Sequence, residues 1–278
     1  MLSDALKQRF DVLHEPIRQA GDEVFMMRAR FPEALNVQIK PDESPVTDAD
    51  KWANRFLRKH ISSAFPSDAI VGEEDEDKTY DPSADFIWYI DPIDGTRGFI
   101  KGSDDFFVLA GLTFRGLPVM GLHYRPASQT LIYAWEGQPP AVMRAGAQAD
   151  APGPRQAWST EAPVFIKIPA GNKDIRPEVT GYGVPRAGYV PGMVDMLAPL
   201  FGKAAGYISY RPTAYWDLVA PAAIMRAAGF RDACNSTETG TPLRFNDGQH
   251  QTDFFYSLPP DTPHGFIEHL LAIRRNQG

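Results

Sequence analysis

The chain has 278 residues, 43% hydrophobic and 23% charged, with a formal net charge of −7. That composition excludes a wholly disordered or fibrous protein and points to one large domain or two intimately packed ones. The acidic balance disfavours a nucleic-acid polymer as partner. No run approaches the roughly 20 apolar residues that span a bilayer, so no membrane association is expected. Cys234 is the only cysteine, which excludes an internal disulfide and any zinc-finger array. The first residues mix charge with apolar side chains and carry no leader-like apolar core, so the expected compartment is the cytoplasm.

Apolar residues at three- and four-residue steps predict a helix over Leu2–Arg30, ended by Phe31-Pro32. Asn36 to Pro45 reads as a polar loop. A second helix is expected from about Ala49 to Ala64, with Thr47, Asp48 or Asp50 as its cap. Strands follow at Ala69–Gly72, Phe86–Ile90, Phe106–Phe114, Pro118–Tyr124 and Thr130–Trp135, the last three forming an antiparallel meander. Gly146 to Pro163 is rich in Ala, Pro and Gly and reads as a boundary or surface excursion. Beyond it, strands at Val164–Ile168, Ala205–Ser209 and Asp253–Ser257 alternate with helices at Pro191–Phe201, Trp216–Ala228 and Pro263–Arg275. Alternation of this kind implies a layered α/β arrangement.

The segment richest in chemistry is Trp88-Tyr89-Ile90-Asp91-Pro92-Ile93-Asp94-Gly95-Thr96. An apolar strand runs into two aspartates three residues apart, and Pro92 stiffens the turn between them. Two carboxylates aimed at one point make a hard, oxygen-rich site suited to magnesium. The same residues could equally be a core strand followed by a capped helix. Upstream, Glu73 follows a short strand and a glycine directly, a good position from which to present a carboxylate inward. The rest of the acidic run, Asp75 to Asp77, reads as solvated surface. Downstream, Asp217 opens an amphipathic helix, where it could cap the helix or add a third aspartate to the cluster. The six histidines form no metal-spaced pair, and no Gly-x-Ser-x-Gly elbow follows a strand.

Taken together and in order, Thr47-Asp48, Gly72-Glu73-Glu74, Asp91-Pro92-Ile93-Asp94-Gly95-Thr96 and Trp216-Asp217 resemble the signature of the inositol monophosphatase superfamily of magnesium-dependent, lithium-sensitive phosphatases. The resemblance implies an αβαβα sandwich mixing α/β and α+β layers. An amino-terminal α+β half, residues 1–150, would supply most metal ligands. A carboxy-terminal α/β half, residues 151–278, would add Asp217 and substrate contacts. It implies two or three Mg²⁺ ions held by Glu73, Asp91, the Ile93 carbonyl, Asp94 and Asp217, with Li⁺ as inhibitor. Glu73, Thr96 and Asp48 would be catalytic, Asp48 sitting close to Thr96, and the Gly95 and Thr96 amides would bind phosphate. The loop around Lys40 resembles the flap that closes over the metals in relatives, although Lys40 could equally be an ordinary surface lysine.

The implied reaction is hydrolysis of a small phosphorylated metabolite, of the inositol monophosphate kind, by two-metal-activated attack of water, in a protein that resembles homodimers. Thr96-Arg97-Gly98-Phe99-Ile100-Lys101-Gly102 is similar to the bisphosphate nucleotidase and histidinol phosphatase branches. The glutamate that grips inositol hydroxyls in relatives is replaced by the neighbourhood of Tyr210 and Arg211. Arg211 could bind a second anionic group, since a guanidinium matches phosphate or carboxylate geometry, or it could equally be a surface arginine. A reading from a different class is a metal- and phosphate-binding regulator without turnover.

Overall fold

The computed structural model describes residues 2–30, 35–149, 152, 157–159, 161, 163–167, 195–234 and 244–275. Helix α1 (Leu2–Arg30) has the expected bounds and buries Leu6, Phe10, Leu13, Ile17, Ala20 and Val24 along one stripe. The segment read as a loop is a small hairpin instead. Strands β1 (Gln38–Ile39) and β2 (Pro45–Val46) pair antiparallel, and Lys40 N donates to Ser44 O at 2.8 Å across the turn. Within that turn Asp42 accepts from both the amide and the hydroxyl of Ser44, which closes it without a glycine. Helix α2 (Asp48–Ala64) starts with a capping box: Asp50 N donates to the Thr47 hydroxyl and the Asp50 carboxylate accepts from Thr47 N.

Seven strands form the main sheet in sequence order: β3 (Ala69–Gly72), β4 (Phe86–Asp94), β5 (Phe107–Phe114), β6 (Leu117–Arg125), β7 (Thr130–Trp135), β8 (Gln138–Arg144) and β9 (Ala147–Ala149). β3 is parallel to β4, and every later pairing is antiparallel. β8 and β9 were not expected from the sequence: Pro139-Pro140 removes two ladder donors from β8, and β9 lies in the segment read as a boundary. The pairs Trp135↔Gln138 and Tyr133↔Ala141 leave both prolines opposite Ala134 alone, so they fall in a bulge that needs no amide there.

One face of this sheet is covered by α1 and α2, through Leu13, Ile17 and Leu57 against Trp88, Ile90, Leu112 and Leu122. On the other face lies α4 (Tyr215–Ala227), which follows the five-residue helix α3 (Thr96–Ile100) in numbering and starts one residue before the expected Trp216. The approach is close because β5 and β6 offer glycines: a Cβ on Gly111 would lie 2.5 Å from Ala220 N, and one on Gly121 2.0 Å from Ala220 O. The other side of α4 meets a four-stranded sheet of order β10 (Val164–Lys167), β11 (Gly206–Ser209), β15 (Phe255–Leu258) and β13 (Arg231–Cys234). One apolar cluster therefore joins Tyr89 and Ile132 of the first sheet, Val219 and Ala222 of α4, and Tyr207 and Phe255 of the second. Helix α5 (His264–Arg275) closes the far side with Phe266, Ile267 and Leu270. The layers run αβαβα, as expected.

Strands β12 (Thr213–Ala214) and β14 (Gln251–Thr252) make a short ribbon at the start of α4. β13 was not expected. Of the helix read at Pro191–Phe201, Asp195–Phe201 is a 3-10 helix and the remainder lies outside the described residues, as does part of the boundary segment Gly146 to Pro163. No helix among the described residues is long and apolar enough to cross a membrane.

Candidate active site

The site forms where β4 outruns its expected end. Asp91 is buried, and its Oδ1 accepts from Ile93 N at 2.9 Å. Between Asp91 and Asp94 the register shifts, since Asp91 faces Leu109 and Asp94 faces Phe107. That irregularity turns the strand end and re-aims Asp94. Gly95 then adopts φ 97°, a left-handed conformation, with Asp105 O only 3.2 Å from where a Cβ would sit. α3 begins at once, and the Thr96 hydroxyl donates to Ile93 O at 2.9 Å and to Asp50 Oδ1 at 3.3 Å.

That last contact corrects one expectation. Asp48 is not the partner of Thr96. It is exposed, and its carboxylate accepts from Asn36 Nδ2 at 3.2 Å. As the first residue of α2 it points away, whereas the capping box folds Asp50, two positions on, back beneath Thr47 and toward Thr96. Asp50 is fully buried, and burial pushes its carboxyl up to about 6 against the Thr47 bonds, with the charge of Glu73 adding to the rise.

Glu73 continues β3, its amide donating to Ile90 O at 3.0 Å. Asp217 comes from the first turn of α4. Burial drives Asp91 well above the ordinary carboxylate range, and the charges of Glu73, Asp217 and Asp94 drive it further. Asp217 keeps a solvent-facing edge, yet protein surrounds most of it. Its carboxyl is pushed up to about 8 by that burial and by Asp94 and Glu73. Glu73, Asp91, Asp94 and Asp217 thus form one electrostatic cluster beside the Ile93 carbonyl and Thr96.

The cluster already holds a cation. Lys40, from the β1–β2 turn, places its Nζ 2.8 Å from Glu73 Oε1 and 2.9 Å from Glu74 Oε1. Burial by itself would lower the ammonium, but the two glutamates hold it above its ordinary value. Glu74 is in turn pushed up, burial outweighing the Lys40 contact. Among the described residues, no three His, Cys, Asp or Glu side chains stand in ready-made metal-holding geometry. The donor set nonetheless fits Mg²⁺: it is all oxygen, strongly anionic and mutually repelling, and one member is paired with an ammonium that a divalent ion would replace.

Arg211 lies apart from this cluster in the structure. It is exposed in the turn after β11, its amide donating to Ser209 Oγ at 3.2 Å, and no contact ties its guanidinium to the carboxylates. A cation overlooked in the sequence does act on the cluster. Lys167 ends β10, sits 5.9 Å from the Tyr207 ring centroid, and its charge bears on Asp217, opposing the rise of that carboxyl. The legible signal was the pattern Val164-Phe165-Ile166-Lys167, an apolar strand closed by a charge, as at Gly72-Glu73.

A sequence profile of the inositol monophosphatase family matches residues 8–249. The chain belongs to that family. Over 125 residues it is 38% identical to the bifunctional phosphatase IMPL2 of Arabidopsis thaliana, a segment covering 45% of this chain and 36% of that protein. Over 235 residues it is 28% identical to the 3′(2′),5′-bisphosphate nucleotidase CysQ of Salmonella typhimurium, covering 76% of this chain and 85% of that one. In fold it resembles inositol monophosphatase-II of Staphylococcus aureus, with a TM-score of 0.75 at 19% identity over 97% of this chain and 96% of that one.

Proposed function

We propose that this chain is a Mg²⁺-dependent phosphomonoesterase that hydrolyses a small phosphorylated metabolite by direct attack of water. The observation that carries the reading is the gathering of Glu73, Asp91, Asp94 and Asp217 beside the Thr96–Asp50 pair. Glu73, Asp91, the Ile93 carbonyl, Asp94 and Asp217 would hold two or three Mg²⁺ ions. Such ions, when bound, neutralise charge on the attacking and leaving oxygens of an in-line displacement. Thr96, fixed by Asp50 and by Ile93 O, would orient the attacking water. The backbone amides of Gly95, which is exposed, and of Thr96, at the start of α3, would bind the phosphate.

Inositol monophosphate is the first candidate substrate. A second reading, a substrate with another anionic group such as 3′-phosphoadenosine 5′-phosphate, is favoured by Lys167, whose charge bears on Asp217; histidinol phosphate is the further alternative. Phosphate release from purified protein, with and without Mg²⁺, over inositol-1-phosphate, 3′-phosphoadenosine 5′-phosphate, histidinol phosphate and fructose-1,6-bisphosphate tests both. Release that needs Mg²⁺ and is lost in Asp94→Asn is expected, and the responding substrate separates the two readings. Silence across the panel with Mg²⁺ bound in calorimetry would favour a non-catalytic metal- and phosphate-binding regulator.

A further inference from the structure

Asp75, expected on the surface, is buried at its carboxylate, with 8% exposure. It is the most heavily bonded side chain of the loop after β3. Its Oδ1 accepts from Asn54 Nδ2 at 2.8 Å, and its Oδ2 accepts from Gly72 N at 2.7 Å and from Arg58 Nη1. Arg58 also donates to Ile70 O at 3.1 Å. The backbone closes the same turn, Asp75 N donating to Gly72 O at 3.2 Å, and Lys78 Nζ donates to Asp75 O at 3.0 Å. Glu73 and Glu74 are the two residues enclosed by this turn.

No apolar residue occurs from Glu73 to Thr79, so hydrophobic packing cannot order the segment. Hydrogen bonds to one carboxylate must do so. The donors come from one stripe of α2, because Asp50, Asn54 and Arg58 are spaced four apart and share a face. The strand end is shaped to receive that stripe: a Cβ on Gly72 would lie 2.2 Å from Asn54 Oδ1.

We propose that Asp75, gripped by Arg58 and Asn54, is a positioning residue that fixes Glu73 and Glu74 in the site. One helix would then set both the Thr96 partner, through Asp50, and the glutamate loop, through Asn54 and Arg58. The proposal rests on the metal-dependent reading above. It acts through carboxylates that hold the ion, and groups of that kind typically change metal affinity about 10- to 100-fold when removed.

The test is Mg²⁺ titration by calorimetry on the full chain, with circular dichroism and urea unfolding alongside. Asp75→Ala is expected to keep its fold and lose about 10- to 100-fold in Mg²⁺ affinity. Arg58→Met, which keeps the Gly72 and Asn54 bonds, should lose less, and the double variant should be close to Asp75→Ala alone, because Arg58 acts on the glutamates through Asp75. Arg58→Lys should recover part of the loss. Folded Asp75→Ala with wild-type affinity overturns the proposal. If Asp75→Ala does not fold, wild-type affinity in Arg58→Met overturns it. Wild-type protein that bound no Mg²⁺ would instead overturn the reading on which the proposal rests.

Discussion

Asp91 and Lys167 each follow the apolar run of a strand, one in the seven-stranded sheet and one in the four-stranded sheet, and the charge of each bears on Asp217. Their surroundings differ in origin. The neighbours of Asp91 come mostly from a contiguous stretch between Thr47 and Thr96, folded by a capping box, a left-handed glycine and a register shift. The neighbourhood of Lys167 is assembled from strands far apart in sequence, β10 beside β11 and β11 beside β15. Reaction chemistry is thus written in short motifs with local conformational causes. The opposite rim, where a substrate's remaining groups would lie, depends on long-range pairing and leaves no compact motif.

The sharpest way to break this contrast is at Asp217, the one carboxylate of the cluster delivered by the second half of the chain. Asp217→Asn should lower kcat/KM by at least about a hundredfold, since charge neutralisation by bound metal contributes several kcal/mol at the transition state. The same change should stabilise the metal-free protein. The folded carboxyl titrates near 8 against an ordinary 3.8. Its raised value means that this group's contribution to stability is fully present below about pH 4 and is lost as pH rises toward and through about 8. The stability gap between Asp217→Asn and wild type in chelator should therefore open above about pH 4 and level off beyond about 8, as urea unfolding would measure. Saturating Mg²⁺ should shrink or reverse it, because an ion that binds only the folded wild-type site stabilises it by mass action. A gap that failed to open would mean Asp217 is not part of a repelling cluster.

A smaller effect is expected on the rim. If Lys167 and Arg211 meet a second anionic group, Arg211→Gln should raise KM about tenfold for a substrate that carries one and leave kcat nearly unchanged. That follows from a charge-assisted hydrogen bond made equally in ground and transition states. Inositol-1-phosphate, which has one phosphate, should show little change. Equal losses in both substrates would remove Arg211 from recognition and leave Lys167→Gln as the variant to measure.

The carboxylate floor was legible because each of its residues sits at the end of a recognisable element: Glu73 after β3, Asp91 within the overrun of β4, Asp217 at the start of α4. Its failures were failures of direction. Asp48 and Asp50 both fit the motif, and only the reciprocal bonds of the capping box show that Asp50 turns inward. Asp75 looked like one more charge in an acidic run, because nothing local indicates that Asn54 and Arg58 arrive from α2 to bury it. β8 was obscured by two prolines whose tolerance depends on a bulge opposite Ala134. In each case the missing information was a specific contact, local in the capping box and the β7–β8 bulge and long-range at Asp75.

Lys40 carries the smallest predicted effect and is the finest probe of the floor. Its ammonium bonds Glu73 and Glu74, so a divalent ion that uses Glu73 must displace it. A half-buried pair of this kind is worth roughly 0.5–1 kcal/mol. Lys40→Met should therefore bind Mg²⁺ about two- to fivefold more tightly by calorimetry, and its metal-free form should unfold at lower urea, because the two glutamates lose their counter-ion. The hairpin itself should persist, since Arg97 Nη2 still donates to Glu43 O at 2.7 Å and Lys40 N to Ser44 O. The two shifts have opposite signs but one origin, and that is what distinguishes displacement from general damage: a variant weakened in both measurements would show that Lys40 supports the bound ion rather than standing in for it.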